Sequence, residues 1–205
     1  MLQILDRKIR QMHEALGSLE KKDLSTLEVT RGLSENGYYV KLDFSQNMSE
    51  QKLYNVVTLL IANIACMKDH LKVWCNSNGR SFNGEELINT NTDVAIIHDL
   101  WNIDKHLSLS NRPRSGFTPK IDNLKQALSL STGTDDGSFA MFSMDPITGK
   151  FIQQSGNGGS VSLVISGDVL DENGTRIGDF LKICEKAVSA WERELVAAGI
   201  NIPIP

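Results

Sequence analysis

Residues 53–74 read LYNVVTLLIANIACMKDHLKVW, and this stretch decides the fold. Its apolar residues recur in alternating steps of four and three, the spacing that places side chains on one face of an α-helix. Seven positions keep that register: Leu53, Val57, Leu60, Ile64, Met67, Leu71 and Trp74. The pattern predicts one long helix over residues 49–75, with this face buried in the core.

The same kind of spacing predicts three further helices. One covers residues 2–20, one runs from about residue 91 to residue 106, and one covers residues 179–198 and stops at Gly199. The apolar faces of the first and last of these helices comprise Leu2, Leu5, Ile9, Met12, Leu16 and Leu19, and Phe180, Cys184, Ala187, Trp191 and Leu195. We expect the segment between residues 76 and 91 to be short and irregular.

Strand patterns occupy two other parts of the chain. Residues 26–44 alternate apolar and polar side chains around Asn36-Gly37, which predicts a β-hairpin. Beyond residue 116, strands are predicted over 124–131, 138–144, 150–154 and 160–166, and near Val169, as an antiparallel meander. Because helices and strands are segregated along the sequence, the fold class is α+β.

We expect a single domain over residues 1–205. In this interpretation, residues 1–110 form a mainly helical half, a long-helix bundle that contains the hairpin 26–44. Residues 120–175 form a strand-rich half, and the helix 179–199 closes the domain.

Composition and charge limit the functional classes. The chain has 205 residues, 40% of them hydrophobic, and a formal net charge of -4, which is typical of a globular protein without a global basic field. The three cysteines have no paired spacing, which favours reduced thiols and a cytoplasmic protein. The longest apolar run, residues 56–65, is interrupted by Thr58 and Asn63, so we expect no membrane span.

The nine residues from His98 to His106 carry the densest functional chemistry. Spacings of four place His98, Asn102 and His106 on one stripe of the third predicted helix. Histidines exchange protons near neutral pH, so His70 and His106 are candidates for a general acid and base. The alternative is that these polar side chains only satisfy one another across a helix interface.

Cofactors and metals are not expected. His98 and His106 are separated by two helical turns, about 12 Å, which is too far to share one zinc ion. The glycine-rich run 156–159 lacks the lysine and the following helix of a phosphate-binding loop. We therefore predict neither a metal site nor a bound cofactor.

Two segments resemble a group of uncharacterised bacterial proteins. The first reads ANIACMKDH over residues 62–70, and the second reads IHDLWNIDKHL over residues 97–107. The first segment also resembles the Arg-x4–6-His signature of HEPN domains. That resemblance implies a helical bundle, often dimeric, which binds or cuts RNA with the Arg and His at the scissile phosphate.

The resemblance assigns individual positions. Asn63, Asp69 and His70 match the first motif, and the second is matched at His98, Leu100, Asn102, Asp104, Lys105 and His106. The arginine positions of the two motifs are occupied by Ala65 and Leu107. Loss of a guanidinium removes a bidentate phosphate clamp, so the resemblance implies a degenerate HEPN-like core.

Three functions follow as hypotheses. The first is a binding module for RNA or a partner protein, with a homodimer as a further expectation. The second is a metal-independent ribonuclease, and the third is a purely structural or oligomerisation protein. Candidate catalytic residues are His70, His106, Lys105 and Asn102, and candidate binding residues are Asn63, Lys68, Asp69, His98 and Asp104.

Overall fold

The chain forms two compact units. The structure, a computed structural model, describes residues 2–21, 28–34, 37–43, 49–109, 111–131, 141–144, 151–154 and 160–200. The helical unit consists of Met1–Leu19, Tyr54–Leu124 and Ser166–Pro205, and the strand unit consists of Glu20–Leu53 and Lys125–Ile165. Every candidate site residue named above belongs to the helical unit.

The predicted α+β class is confirmed. The helices within the described residues are α1 (Leu2–Gly17), α2 (Glu50–Ala65), α3 (Met67–Ser77), α4 (Gly84–Thr90), α5 (Thr92–His106) and α6 (Phe180–Ala197). In the helical unit, α1 packs against α3 and α6, whereas α5 packs against α4 and α6. No helix within the described ranges is long and apolar enough to span a membrane.

The apolar seam of residues 53–74 is buried at all seven positions, as predicted. The prediction of one continuous helix over residues 49–75 is wrong, because the helix is interrupted at Cys66. Cys66 has φ -76 and ψ -8, in the right-handed region, and the apolar seam is buried on both sides of it, so the side chains stay in phase across the break. An apolar pattern predicts which side chains share a face. It does not predict which backbone hydrogen bonds form, so the break at Cys66 left no mark in the sequence pattern.

The first helix ends earlier than its apolar pattern. Helix α1 stops at Gly17, although Leu19 beyond it is buried at 1% exposure. The Ser18 hydroxyl donates to the Ala15 carbonyl at 2.6 Å, and such local bonds compete with continuation of a helix. Leu19 is therefore buried in the core although it lies beyond the end of the helix.

The closing helix matches its prediction closely. The Asp179 carboxylate accepts a hydrogen bond from the Lys182 amide at 3.0 Å, which caps the N-terminus of α6. All five residues of the predicted apolar face of α6 are buried. Gly199 adopts φ 74, the left-handed conformation that ends many helices.

Helix α4 occupies the segment that the sequence indicated to be irregular. It has seven residues, and its buried positions are Gly84 and Ile88. Two turns with so few buried positions produce no recognisable periodicity. The next helix begins as predicted, because the Asn91 side chain accepts a hydrogen bond from the Val94 amide at 3.1 Å.

The described strands are β1 (Glu20–Lys21), β2 (Glu28–Ser34), β3 (Gly37–Asp43), β4 (Lys120–Ser131), β5 (Met141–Met144), β6 (Phe151–Gln154), β7 (Ser160–Leu170) and β8 (Arg176–Asp179). The predicted hairpin is confirmed, since β2 and β3 pair antiparallel up to Ser34 and Gly37. Its turn residues, Glu35 and Asn36, lie outside the described residues, as do the ends of two predicted strands, 138–140 and 150.

The strand order differs from a simple sequential meander. Strand β7 has β1 and β4 as its neighbours and also pairs antiparallel with β8, whereas β5 and β6 pair with each other. The strands predicted over 160–166 and near Val169 are one continuous strand, β7. Alternation of side chains predicts that strands exist and leaves their partners open.

Candidate functional site

Helix α5 carries two buried polar residues in the middle of an apolar run. Its residues from Val94 to Leu100 are all buried, and among them His98 is 7% exposed and Asp99 is 2% exposed. Buried polar side chains require hydrogen-bond partners, because an unpaired one costs about 1–3 kcal/mol. The partners of these two residues define the site.

The partner of His98 lies one turn further along the same helix. The Asn102 amide nitrogen is 3.0 Å from Nδ1 of His98. With this amide donating, Nδ1 accepts and the ring proton is on Nε2, which describes a neutral imidazole. Burial lowers the pKa of His98, and the charges of Lys68 and Arg114 lower it further, while Asp99 and Glu85 act in the opposite direction.

The partner of Asp99 lies in the segment that follows α5. One carboxylate oxygen of Asp99 accepts two hydrogen bonds from Ser115, from its amide at 2.8 Å and from its hydroxyl at 2.7 Å. The same hydroxyl lies 2.9 Å from the Phe117 carbonyl. Asp99 therefore fixes the segment after α5 against the middle of that helix.

The residue before Ser115 joins an ion cluster. Glu85, in the first turn of α4, forms ion pairs with Arg114 through one carboxylate oxygen and with Lys68 through the other, the latter at 3.0 Å. The hydrogen bonds from Arg114 and Lys68 lower the pKa of Glu85 to about 2, so this carboxyl is ionised at neutral pH. One acid thus bridges α3 to the segment after α5.

Five of these residues, Lys68, His98, Asp99, Asn102 and Arg114, line one cavity of about 310 Å³, which we call the α5 cavity. Its wall is formed by Lys68, His98, Asp99, Asn102, His106, Ser108, Leu109, Asn111, Arg112 and Arg114. Glu85 and Ser115 contact members of its described wall but do not line it. Among the described residues of this wall, three carry a cation at neutral pH and only Asp99 carries an acid. The three members of the predicted stripe, His98, Asn102 and His106, all belong to it.

Other candidate residues lie elsewhere. Within the described wall of the α5 cavity, His70 does not occur, because it is two positions from Lys68 on α3 and about 200° round the helix axis. Burial and the charge of Lys8 lower the pKa of His70, while Asp69 raises it. His70 therefore lies within the electrostatic influence of Lys8 on α1. The catalytic role given to it stays a prediction.

The remaining candidates are also separate from the cavity. The candidates Asp69 and Lys105 both act on the Cys66 thiol. Burial and the charge of Asp69 raise the pKa of this thiol, and the charge of Lys105 lowers it. Asp104 lines a different cleft of about 210 Å³ with Tyr54 and other largely apolar residues. Asn63 is half-buried on α2 and does not line the α5 cavity as described.

The site candidates from the sequence did not include Glu85, Asp99, Asn111, Arg112, Arg114 or Ser115. A signal existed in RPRSG, residues 112–116, where two arginines follow the helix with the polar stripe within eight residues of its end. Glu85 offered no such signal, because its role depends on a contact between residues far apart in the sequence.

Within the described residues, no group of three or more His, Cys, Asp and Glu side chains is arranged to hold a metal ion. A further cavity, of about 390 Å³, is lined by Arg80, Phe82, Glu86 and other residues, none of them a site candidate from the sequence. The α5 cavity is thus the place where the predicted stripe and a cluster of cations coincide.

Comparison with known proteins gives no match: no protein-family model, no curated protein and no solved structure matches the chain. The side chains of the α5 cavity are therefore what indicates a function.

The His98 imidazole should be neutral at pH 7, with its proton on Nε2, and should titrate below its ordinary value of 6.5. A folded-state pKa below the unfolded value means that His98 contributes stability above about pH 6.5, and that this stability is lost as the pH falls. Nitrogen–proton correlation spectra across that range would follow the ring, with the His98→Asn variant assigning its signal. Titration of His98 above 6.5 would contradict this assignment.

Proposed function

We propose that this chain is a binding protein for phosphate-bearing ligands, with RNA as the leading candidate, and that the α5 cavity holds the phosphate. The observation that carries the proposal is that Lys68, Arg112 and Arg114 line one cavity with a single acid. That acid, Asp99, already accepts two hydrogen bonds from Ser115. The planar fork of an arginine matches phosphate oxygens, and a lysine adds a point charge.

Neutral polar groups of the same wall support an anionic ligand. His98, with its proton on Nε2, is a donor there, and the side-chain amides of Asn102 and Asn111 also line the cavity. RNA comes before a protein partner because RNA presents a phosphate at every nucleotide, and arginine and lysine side chains are common contacts of those phosphates. A homodimer is part of the proposal only as an expectation from the resemblance to HEPN domains.

A degenerate HEPN-like core also stays a proposal. At the position where the HEPN signature has its arginine, the chain has Ala65, which is 4% exposed. A phosphate cannot be held from that position. The cations of the α5 cavity supply the positive charge in its place, from α3 and from the segment after α5.

Substitution of Arg114 should weaken RNA binding. We expect Arg114→Gln to reduce the affinity for single-stranded RNA about tenfold or more, because one charge-assisted contact is worth about 1.5–3 kcal/mol. Fluorescence anisotropy of a labelled oligonucleotide measures this affinity. With three cations in contact, the logarithm of the affinity should fall with the logarithm of salt concentration at a slope of about −2.

A matched control removes the same charge elsewhere in the helical unit. Arg193 is exposed on α6, and Arg193→Gln should leave RNA binding unchanged. Absence of binding by the wild type, a flat salt response, or an equal loss in Arg193→Gln would reject the proposal. Thermal denaturation of each variant separates loss of binding from loss of fold.

A metal-independent ribonuclease is the second candidate function. The observation that favours it is that the imidazoles of His98 and His106 line the same cavity as Lys68. Two imidazoles can act as acid and base on a phosphodiester, with a cation stabilising the developing charge. The hypothesis from the sequence assigned the acid and base roles to His70 and His106. In this cavity the two imidazoles are those of His98 and His106.

Incubation of RNA with the protein in EDTA tests this second candidate. It predicts cleavage by the wild type, loss of cleavage in His106→Ala, and normal cleavage in His70→Ala. His106 is exposed, so its substitution should leave the fold intact. RNA that stays intact with the wild type would reject the ribonuclease and leave the binding protein in place.

A further inference from the structure

Glu85 occupies the position between two cations of the α5 cavity. Its carboxylate oxygens face Lys68 on one side, at 3.0 Å, and Arg114 on the other. A carboxylate in this position presents two oxygens and one negative charge to an ammonium and a guanidinium. An anionic ligand that enters the cavity meets both cations already paired.

The three side chains differ in their access to water. The side chain of Glu85 is 50% exposed, whereas those of Lys68 and Arg114 are 21% and 33% exposed. Glu85 can turn outward and regain its hydration at small cost, since exposed ion pairs contribute about 0–1 kcal/mol. The two cations are held more deeply, and Asp99 fixes Ser115 next to Arg114. The acid is therefore the member of the cluster that a ligand can displace.

We propose that the position of the Glu85 carboxylate is a subsite for a terminal phosphate, a phosphate monoester, and that Glu85 closes this subsite in the absence of ligand. The inference rests on the proposed function and names the class of phosphate that the cavity takes. The ligand's phosphate displaces Glu85 and takes over its contacts with Lys68 and Arg114.

Charge distinguishes a monoester from a backbone phosphodiester. A phosphate monoester carries about −1.5 to −2 charges at pH 7 and three terminal oxygens, more than a carboxylate on both counts. A phosphodiester carries one negative charge, the same as Glu85, so its exchange for the carboxylate gains little. A monoester therefore displaces Glu85 more readily than a diester does.

The size of the cavity agrees with a small ligand. Its volume of about 310 Å³ is at the lower end of the range of about 300–1,000 Å³ for small-molecule sites. A mononucleotide and the phosphorylated end of an RNA present the same group to such a cavity. Both sources of the terminal phosphate are therefore included in the test.

Glu85→Gln should increase the affinity for a terminal phosphate. Glutamine keeps the size of the side chain and removes its charge, so Lys68 and Arg114 lose their competing anion. We expect adenosine monophosphate to bind about tenfold more tightly to Glu85→Gln than to the wild type, by isothermal titration calorimetry. Adenosine without phosphate should not respond to the substitution.

Two further variants make this result specific. Glu86→Gln removes the same charge from the adjacent exposed residue, which lines the separate cavity of about 390 Å³. It should leave the affinity for adenosine monophosphate unchanged. In the double variant Glu85→Gln/Arg114→Gln, the gain should disappear, because the released guanidinium is absent. A gain that persists without Arg114, or that Glu86→Gln reproduces, would overturn the inference.

The source of the phosphate and the proposed function are tested by the same titrations. An RNA with a 5′-phosphate should bind more tightly than the same RNA with a 5′-hydroxyl, and adenosine monophosphate should compete with it. If both RNAs bind equally through Arg114, or Glu85→Gln brings no gain, this inference is wrong and the proposed function stands. If neither the wild type nor Glu85→Gln binds any phosphate-bearing probe, this inference and the proposed function are both wrong.

Discussion

The site depends on one buried carboxylate. Asp99 is 2% exposed on α5, and it accepts hydrogen bonds from both the amide and the hydroxyl of Ser115. A buried charge is tolerated only where such partners are supplied, so the segment after α5 must stay where it can supply them. This requirement places Arg114 beside the polar stripe of α5. Without it, Arg114 would not be held beside the histidines of α5, and Lys68 on α3 would face them without that arginine.

The electrostatics of the cavity follow from this placement. Arg114 and Lys68 keep His98 neutral by adding to the effect of its burial, and the same two cations keep Glu85 ionised. A neutral imidazole can donate a hydrogen bond from Nε2, while the cations supply charge. The protein as a whole carries a net charge of -4, so the positive character of the site is local. A local site of this kind matches one compact anionic group, such as the single phosphate that the proposed function places there.

Periodicity in the sequence predicted the helices well where the pattern was long. The seven-residue seam of α2 and α3 and the apolar face of α6 are buried as expected, because a helix must bury its apolar face to be stable. The break at Cys66 and the short helix α4 were not predictable in this way. The first preserves the phase of the side chains, and the second is too short to show a phase.

The candidate site was predictable along α5 and at Lys68 on α3. Spacings of four placed His98, Asn102 and His106 together, and the structure has all three in one wall. The contacts of Asp99 with Ser115 and of Glu85 with Arg114 join residues 16 and 29 positions apart, which no local spacing encodes. His70 was predicted from a motif match and does not line the described wall of the cavity. A motif match does not predict which way a side chain on another helix points.

Hydrogen exchange at the Ser115 amide tests the central role of Asp99 most directly. In the wild type this amide should be protected, because its hydrogen bond to Asp99 is part-buried. In Asp99→Ala the protection should fall about tenfold or more, while the amides of α5 remain protected and Asp99→Asn, which keeps an acceptor oxygen, retains part of it. An unprotected Ser115 amide in the wild type, or unchanged protection in Asp99→Ala, would contradict the account.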